Sequence, residues 1–173
     1  MSELPGLNPD GELELDPMDP SFAQEYLDVV ARNIERLARW EPWAQQPPTL
    51  ESIRAFQGGA AERTARGEEL DFAVRLEGRI VGSLGARLLG DRPEIGYWID
   101  AALEGKGVAY RAASELIDRL GSLGHPRLRA QVGAENARSI RLLERLAFSR
   151  STEPVEPLRL GDRLVPMVRF VRG

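Results

Sequence analysis

The sequence contains no cysteine, only one histidine and only one lysine among its 173 residues. The lack of cysteine excludes disulfides, thiol nucleophiles and metal sites with thiolate ligands. A zinc site built from several imidazoles is also excluded, and a Ser-His-Asp triad would have to use His125. Because His125 precedes Pro126 in a predicted turn and no Gly-x-Ser-x-Gly segment accompanies it, the pattern favours a structural role for this ring.

Long apolar runs are missing too, since none approaches the roughly 20 residues that a membrane-spanning helix needs. The first residues, MSELPGLNPDGELEL, have no basic stretch followed by an apolar one, so we expect no secretory signal, no membrane partner and a cytoplasmic protein. The formal net charge is −4. Nucleic acid is therefore disfavoured as the main ligand, whereas a mildly acidic surface suits a cationic substrate.

Hydrophobic periodicity predicts one α+β domain over residues 1–173, built around a central sheet. Ser21 is the expected N-cap of the first helix and Thr49 that of the second. Pro166 lies inside the last predicted strand and suggests an edge position or a bulge. Strands are predicted near residues 12–17, 70–77, 80–89, 94–99, 128–132 and 163–171, with a hairpin turn at Gly78-Arg79, and helices near residues 22–37, 49–66, 107–121 and 136–146.

A glycine-rich turn, Glu104-Gly105-Lys106-Gly107-Val108-Ala109, joins the predicted strand 94–99 to a strongly amphipathic helix. Glycine lets a backbone approach a ligand closely. The first amides of a helix lack internal partners and, with the helix dipole, favour a diphosphate. Lys106 adds a positive charge. The turn therefore suits either an anion site or a plain connection, and it matches neither the dinucleotide-binding nor the P-loop pattern.

Residues 94–148 resemble the acyl-CoA-binding core of the GNAT N-acetyltransferase superfamily. The superfamily signature, Gln/Arg-x-x-Gly-x-Gly/Ala, corresponds to the glycine-rich turn, with Glu104 in place of the usual Gln or Arg. Such a carboxylate would repel a diphosphate unless it points away. The element Asn136-Ala137-Arg138-Ser139 corresponds to the start of the superfamily's next helix, and Ala147 replaces the glycine of its terminal Gly-Phe. LARWEPW, at 37–43, resembles the branch that contains ribosomal-protein N-terminal acetyltransferases.

This resemblance implies a GNAT-like fold, with a mixed, mostly antiparallel sheet flanked by helices and a splay between the strands at about 94–100 and 127–133. It implies acetyl-CoA as the acyl donor and no metal. Backbone groups that the splay leaves unpaired would bind the pantetheine arm. The CoA-binding residues that the resemblance implies are Trp98, Ile99, Asp100, Glu104, Gly105, Lys106, Gly107, Val108, Ala109, Asn136 and Ser139.

Two residues are candidates for catalysis through the same resemblance. Glu94 occupies the strand position of the general base in the histone-modifying branch, and Ser139 would lie beside the thioester sulfur as a proton donor. A surface charge at a strand start explains Glu94 equally well, and an N-cap role explains Asn136. A catalytic glutamate needs a partly apolar pocket to raise its pKa. The residues expected to form the acceptor site, with core packing as the alternative, are Trp40, Trp43 and Tyr97.

The leading hypothesis is an N-acyltransferase that moves acetyl from acetyl-CoA to a primary amine by direct attack in a ternary complex. The amine would be a protein N-terminus or a small molecule. Two features also agree with a different class of protein, a non-catalytic acyl-CoA sensor or interaction module. They are Glu104 in the glycine-rich turn and the lack of an identified general base. Succinyl-CoA as donor, polyamines or aminoglycosides as acceptors, and assembly as a homodimer stay open.

Overall fold

The computed structural model describes residues 6–88 and 90–173. The predicted end of a strand at residue 89 and the first five residues of the stretch searched for a signal lie outside the described residues. Short 3-10 helices lie at Pro20–Phe22, Pro42–Gln45 and Ala101–Leu103. The elements are β1 Leu13–Pro17, α1 Ala23–Leu37, α2 Leu50–Ala65, β2 Glu69–Leu76, β3 Arg79–Arg87, β4 Glu94–Ile99, α3 Val108–Ser122, β5 Leu128–Gly133, α4 Ala137–Arg145, β6 Ser149–Arg150, β7 Leu158–Leu160, β8 Arg163–Val165 and β9 Met167–Arg172.

Seven strands form one mixed sheet in the order β1-β2-β3-β4-β5-β9-β6. Every neighbouring pair is antiparallel except β4 and β5, which are parallel and share a single register pair, Glu94 with Arg129. The two strands diverge after that pair, whereas β3 and β4 pair along six positions. The predicted splay is therefore confirmed. It leaves one edge of β4 open in the middle of the sheet.

Two apolar cores cover the two faces of the sheet. Helices α1 and α2 contribute to one core, in which Tyr26, Val30 and Ile53 are buried. Helix α3 contributes the face predicted from its periodicity to the other core, where Leu116 and Leu120 are at most 1% exposed. Strand β4 contributes to both cores, because alternate side chains of a strand leave opposite faces: Ile95 and Ile99 lie in the core with α3, and Trp98 packs against the core with α1 and α2.

Local capping explains where the helices begin. Thr49 caps α2 as predicted, and Ser52 completes a capping box with it. The expected cap at Ser21 is wrong, because Ser21 lies inside the 3-10 helix before α1. Asp19 caps that helix instead, and its Oδ1 accepts a hydrogen bond from the Ser21 amide at 2.8 Å. An aspartate one residue before Pro20 satisfies the first free amide, so the turn begins two residues earlier than predicted.

The predicted strand 163–171 is two strands, because Pro166 has no amide to donate to a ladder. Before it, β8 pairs with β7 in a separate two-stranded sheet. After it, β9 lies between β5 and β6, so neither the edge position nor a bulge within one strand is correct. The predicted turn at Gly78-Arg79 is also shifted by one residue, since Glu77 and Gly78 carry the positive φ angles of 50° and 77°.

Ala147 ends α4 in a left-handed conformation, with φ of 64°. A side chain at such a φ costs roughly 1–2 kcal/mol, part of which glycine recovers. Ala147→Gly should therefore raise stability by about 1 kcal/mol and Tm by about 2–4 °C. Ala137→Gly, inside the first turn of α4, should lower stability by about 0.5–1 kcal/mol in the same thermal denaturation experiment. A lower Tm for Ala147→Gly would contradict the strain argument.

Candidate active site

Two cavities meet at β4. The first, here called the splay cavity, has a volume of about 760 Å³ and lies between β4 and β5, with the turn Glu104–Gly107 and the start of α4 as further walls. The second, here called the aromatic cavity, has a volume of about 610 Å³ and is lined by Tyr26, Trp43, Phe56 and Trp98. Both sizes suit a bound small molecule or an extended segment.

The glycine-rich turn brings the N-terminus of α3 to the wall of the splay cavity. Gly105 and Gly107 have φ angles of 72° and 81°, a conformation that glycine adopts without the strain a side chain adds. No heavy atom lies within 4 Å of the place where a Cβ would stand on either residue, so the backbone is open on that side. Gly107, Ala109 and Tyr110 line the splay cavity, so the first turn of the 15-residue helix that begins at Val108 borders it, where a helix N-terminus favours an anion.

The charges of the two cavities have opposite sign. The splay cavity is lined by four arginines, Arg36, Arg138, Arg141 and Arg145, against two glutamates, Glu41 and Glu104. The aromatic cavity is lined by four carboxylates, Glu41, Glu69, Asp71 and Glu94, against two arginines, Arg63 and Arg87. The first cavity therefore favours an anionic ligand and the second a cationic one.

Glu104, the departure from the superfamily signature, is held by two arginines. Its carboxylate pairs with Arg36 of α1 at 2.9 Å and with Arg138 of α4. Arg36 also donates to the carbonyl of Ile99 at the open edge of β4. The negative charge is therefore neutralised at the wall of the cavity.

Asn136, Ser139 and Tyr97 form a connected group at the start of α4. Asn136 caps the helix, and its Oδ1 accepts from the Ser139 amide at 3.3 Å. The Tyr97 hydroxyl lies 2.9 Å from Ser139 Oγ. Burial raises the pKa of Tyr97 to about 12 and the bond to Ser139 opposes that shift. A neutral Tyr97 can thus donate to Ser139 Oγ while the serine proton points to a ligand.

An aromatic cluster closes one side of the second cavity. Trp98 lies with its ring centroid 6.0 Å from that of Tyr26 and 6.4 Å from that of Trp43, and Tyr26 stacks on Phe56 at 6.0 Å. Tyr97 and Trp98 are neighbours on β4, so their side chains leave opposite faces. Strand β4 is thus a wall that both cavities share.

The family model described as an acetyltransferase (GNAT) domain matches residues 12–149, most of the chain. The chain is a GNAT acetyltransferase. A Bacillus subtilis (strain 168) protein named Putative ribosomal N-acetyltransferase YdaF is 26% identical to it over 139 residues, 76% of this chain and 74% of that protein.

Solved structures show the same fold. RimL, the ribosomal L7/L12 alpha-N-protein acetyltransferase in complex with coenzyme A, matches with a TM-score of 0.88 at 19% identity, covering 96% of both chains. The microcin C7 self-immunity acetyltransferase MccE, in complex with acetyl-CoA and AMP, matches with a TM-score of 0.87 at 18% identity, covering 96% of this chain and 97% of that one. The predicted GNAT-like fold is thereby confirmed.

The RimL structure contains coenzyme A and the MccE structure contains acetyl-CoA, which is the class of ligand that the sequence predicts for this chain. Residues 6–88 and 90–173 contain no group of three or more His, Asp or Glu side chains that could hold a metal ion. Within the same ranges no helix is both long and apolar enough to cross a membrane.

The splay cavity brings together most of the residues predicted to bind CoA. Asp100 is an exception: it is buried, its amide donates to the carbonyl of Val81, and its carboxylate pairs with Arg32 at 2.6 Å. The predicted residues that line the cavity are Trp98, Ile99, Glu104, Gly105, Gly107, Ala109, Asn136 and Ser139, and those outside its lining are Asp100, Lys106 and Val108.

The two tryptophans of the LARWEPW segment lie in different places in the acetyltransferase. Trp43 is 49% exposed and lines the aromatic cavity. Trp40 lines the splay cavity, where its ring packs against Gly133 of β5 so closely that a Cβ there would clash. Sequence reasoning grouped both rings with Tyr97 in one acceptor site, whereas the structure places Trp40 on the CoA side and Tyr97 between the two cavities.

Glu94, the predicted base, lines the aromatic cavity only. Its Oε2 pairs with Arg129 Nε at 3.2 Å and accepts from Gln131 Nε2 at 3.3 Å. Both partners come from β5, at the one point where β5 pairs with β4. Glu94 is thus held by charged and polar neighbours at the closed end of the splay.

Glu41 is the functional candidate that sequence reasoning missed. It lines both cavities and follows the last turn of α1. Burial raises the pKa of its carboxyl to about 7, although a hydrogen bond from Trp43 Nε1 at 3.1 Å opposes the shift. The signal in the sequence was a carboxylate between two tryptophans at a helix end.

Proposed function

We propose that the acetyltransferase binds acetyl-CoA in the splay cavity and transfers the acetyl group to the α-amine of a peptide that enters the aromatic cavity. The observation that carries this proposal is the meeting of two oppositely charged cavities at one strand. A polyphosphate ligand suits the arginine-lined cavity, and an ammonium suits the carboxylate-lined one. Both ligands would reach β4 at Tyr97 and Trp98, which are among the residues that line both cavities.

On the donor side, the diphosphate lies against the first amides of α3, and the pantetheine arm runs along the open edge of β4. The amide groups of pantetheine then form hydrogen bonds with the backbone groups of β4 that would otherwise pair with the parallel strand β5. The sulfur lies beside Ser139. An arginine must release the Ile99 carbonyl if the pantetheine is to use that group.

The reaction is a direct attack. The neutral amine nitrogen forms a bond to the thioester carbonyl carbon, and the carbon–sulfur bond breaks. The leaving thiolate takes a proton from Ser139 Oγ, which Tyr97 supports through the 2.9 Å contact. The nitrogen gives its extra proton to a base, and Glu94 is the candidate for that role through the resemblance to the histone-modifying branch.

A peptide N-terminus is the acceptor that the aromatic cavity favours. Trp43 and Phe56 at its lining are 49% and 37% exposed, and Pro47 and Pro48 lie beside them. Aromatic and proline surfaces of this kind bind an extended peptide segment. The ribosomal proteins in the names of the relatives fit such an acceptor.

The test is release of free CoA thiol from acetyl-CoA in the presence of short peptides. Peptides with a free α-amine should accelerate release, and the same peptides with a blocked N-terminus should not. Spermidine and an aminoglycoside, used in place of the peptide, test whether the acceptor is a small cationic amine. Succinyl-CoA, used in place of acetyl-CoA, tests which acyl donor the enzyme prefers. Tight binding of acetyl-CoA without turnover by any acceptor would instead favour the sensor hypothesis.

Glu104→Gln should lower the Kd for CoA about two- to tenfold, because it removes a negative charge and frees Arg36 and Arg138 for phosphate. Stability should change by less than about 1 kcal/mol, as is usual for partly exposed ion pairs. Glu153→Gln, which breaks a pair with Arg169 outside both cavities, is the matched control for calorimetric titration with CoA. Weaker binding by Glu104→Gln would show that this carboxylate positions the two arginines productively.

A further inference from the structure

We propose that Glu41 is the general base that takes the proton from the acceptor amine, an assignment that rests on the proposed acetyl transfer between the two cavities. Of the residues that the structure describes, Glu41 is the one carboxylate that lines both cavities. The amine must lose its proton where it meets the thioester, which is where the two cavities join. Glu104 lies only on the donor side, and Glu69, Asp71 and Glu94 lie only on the acceptor side.

The backbone of Glu41 is fixed by the end of α1. Its amide donates to the carbonyl of Leu37 at 2.9 Å. Its carbonyl accepts from the amide of Ala44 at 3.2 Å and from Gln45 Nε2 at 2.9 Å. Pro42 follows at once and begins the next 3-10 helix. The side chain therefore leaves from a rigid corner, as the positioning of a base requires.

The carboxylate of Glu41 accepts a hydrogen bond from the described part of the chain at only one of its two oxygens. Trp43 Nε1 donates to Oε2, and no arginine, lysine or histidine of the described residues pairs with either oxygen. Glu94, by contrast, is held by Arg129 and Gln131. Within the described ranges, no neighbouring cation therefore opposes the uptake of a proton by Glu41.

The acid strength of Glu41 matches the task. Burial places its pKa at about 7, close to the roughly 7.7–8.0 of an α-amine and far below the roughly 10.4 of a lysine side chain. The pKa of an α-ammonium is therefore only about one unit above that of Glu41, and the pKa of a lysine ammonium is about three units above it. Proton transfer to Glu41 is correspondingly less unfavourable from an α-ammonium. This difference favours a peptide N-terminus over a lysine as the acceptor.

The proton balance of the step is complete. The amine proton passes to a Glu41 oxygen as the nitrogen–carbon bond forms, and the carbon–sulfur bond breaks. The thiolate receives the Ser139 proton, Ser139 regains a proton from solvent, and Glu41 returns its proton to solvent. The other titratable or charged groups that line the two cavities are Tyr26 and Arg36 of α1, Arg63 of α2, Glu69 and Asp71 of β2, Arg87 of β3, Glu94 and Tyr97 of β4, Glu104 of the glycine-rich turn, Tyr110 of α3, and Arg138, Arg141 and Arg145 of α4.

Asp71 is the group most easily confused with Glu41. Burial and the neighbouring Glu69 also raise the pKa of Asp71 to about 7. Asp71 does not line the splay cavity, however, and so does not reach the donor side. A pH profile of the wild-type enzyme alone would not separate the two, and each needs its own variant.

The experiment measures kcat/KM between pH 5.5 and 9.5 with acetyl-CoA and an alanine-initiated hexapeptide. The wild type should gain activity as pH rises through about 7, since a base acts when deprotonated. Glu41→Gln should lose the inflection near pH 7, keep only the one near 7.7–8.0 that belongs to the acceptor amine, and lose about thirtyfold in rate at pH 7.5. That loss is smaller than the usual 10²–10⁴-fold for proton transfer, because water in an open cavity replaces part of the function. Asp71→Asn and Glu94→Gln should retain the inflection, whatever their rates.

A second measurement needs no turnover. The indole N–H of Trp43 donates to Glu41, so its ¹⁵N resonance should titrate with an inflection near pH 7 in the wild type and not in Glu41→Gln. The glutamine variant should remain folded. A carboxyl with a raised pKa costs stability as pH rises from about 4.5 through 7, so removing its charge should not lower Tm at pH 8.

The outcomes separate the two proposals. If the wild type transfers acetyl to no amine, the proposed function fails together with this one. If the wild type is active and Glu41→Gln keeps both its inflection and a rate within threefold, only the assignment of the base fails. Loss of the inflection in Glu94→Gln or Asp71→Asn instead would assign the base to that residue.

Discussion

Gly107→Glu should raise the Kd for CoA at least a hundredfold. Gly107 has φ of 81° and opens onto the splay cavity at the start of α3. A side chain there adds strain of roughly 1–2 kcal/mol. Its carboxylate would stand where the helix amides meet a diphosphate, so repulsion adds to the lost space. The strain lowers the stability of the fold, so the repulsion and the lost space must supply the roughly 2.7 kcal/mol that a hundredfold loss of affinity requires.

Two controls separate charge from strain in the calorimetric titration of Gly107→Glu. Gly107→Ala carries the strain alone and should raise Kd by less than tenfold while lowering Tm. Gly121→Glu places the same charge at an exposed position near the other end of α3, where no atom lies within 4 Å of the new Cβ, and it should leave Kd unchanged. An affinity of Gly107→Glu within threefold of the wild type would show that the anion site lies elsewhere.

Ser139→Ala should lower kcat by about 10²- to 10³-fold, within the range of a lost proton donor, and should change the Kd for CoA by less than threefold. The reason is the position of its hydroxyl, which lies at the splay cavity and contacts Tyr97 at 2.9 Å. Tyr97→Phe removes the support but leaves the serine, so its loss in kcat should be smaller, about tenfold.

The separation of kcat from binding tests this assignment of Ser139. Ser122→Ala removes an exposed hydroxyl whose partner is the carbonyl of Asp118 on α3, and it should leave both quantities unchanged. If Ser139→Ala weakens CoA binding and leaves kcat intact, the hydroxyl serves to hold the ligand and the thiolate takes its proton from water.

Local chemistry was readable from the sequence. Glycines before an amphipathic helix, a Thr49 cap and an Asn136 cap depend on residues close together in the chain, so spacing predicts them. The splay followed from resemblance to a known family. Pro166 was noticed, but whether it ends a strand or bends one depends on which strands pair on either side of it.

Properties that depend on distant elements were not readable. The pKa of Glu41 is raised by burial among elements that are far apart in sequence. The separation of Trp40 from Trp43 depends on the rotation of the chain after α1. The pairing of Glu104 with Arg36 and Arg138 joins three elements. None of these could be predicted from spacing, because each needs the tertiary fold.

Strand β4 has a kinetic consequence as the wall between the cavities. In the proposed complex the donor approaches β4 past α3 and α4, which line the splay cavity, and the acceptor approaches it past α2, which lines the aromatic cavity. Neither substrate then obstructs the route of the other, and either product can leave first. Double-reciprocal plots of initial rate should accordingly show intersecting lines. Each product should inhibit competitively against the substrate that binds in the same cavity.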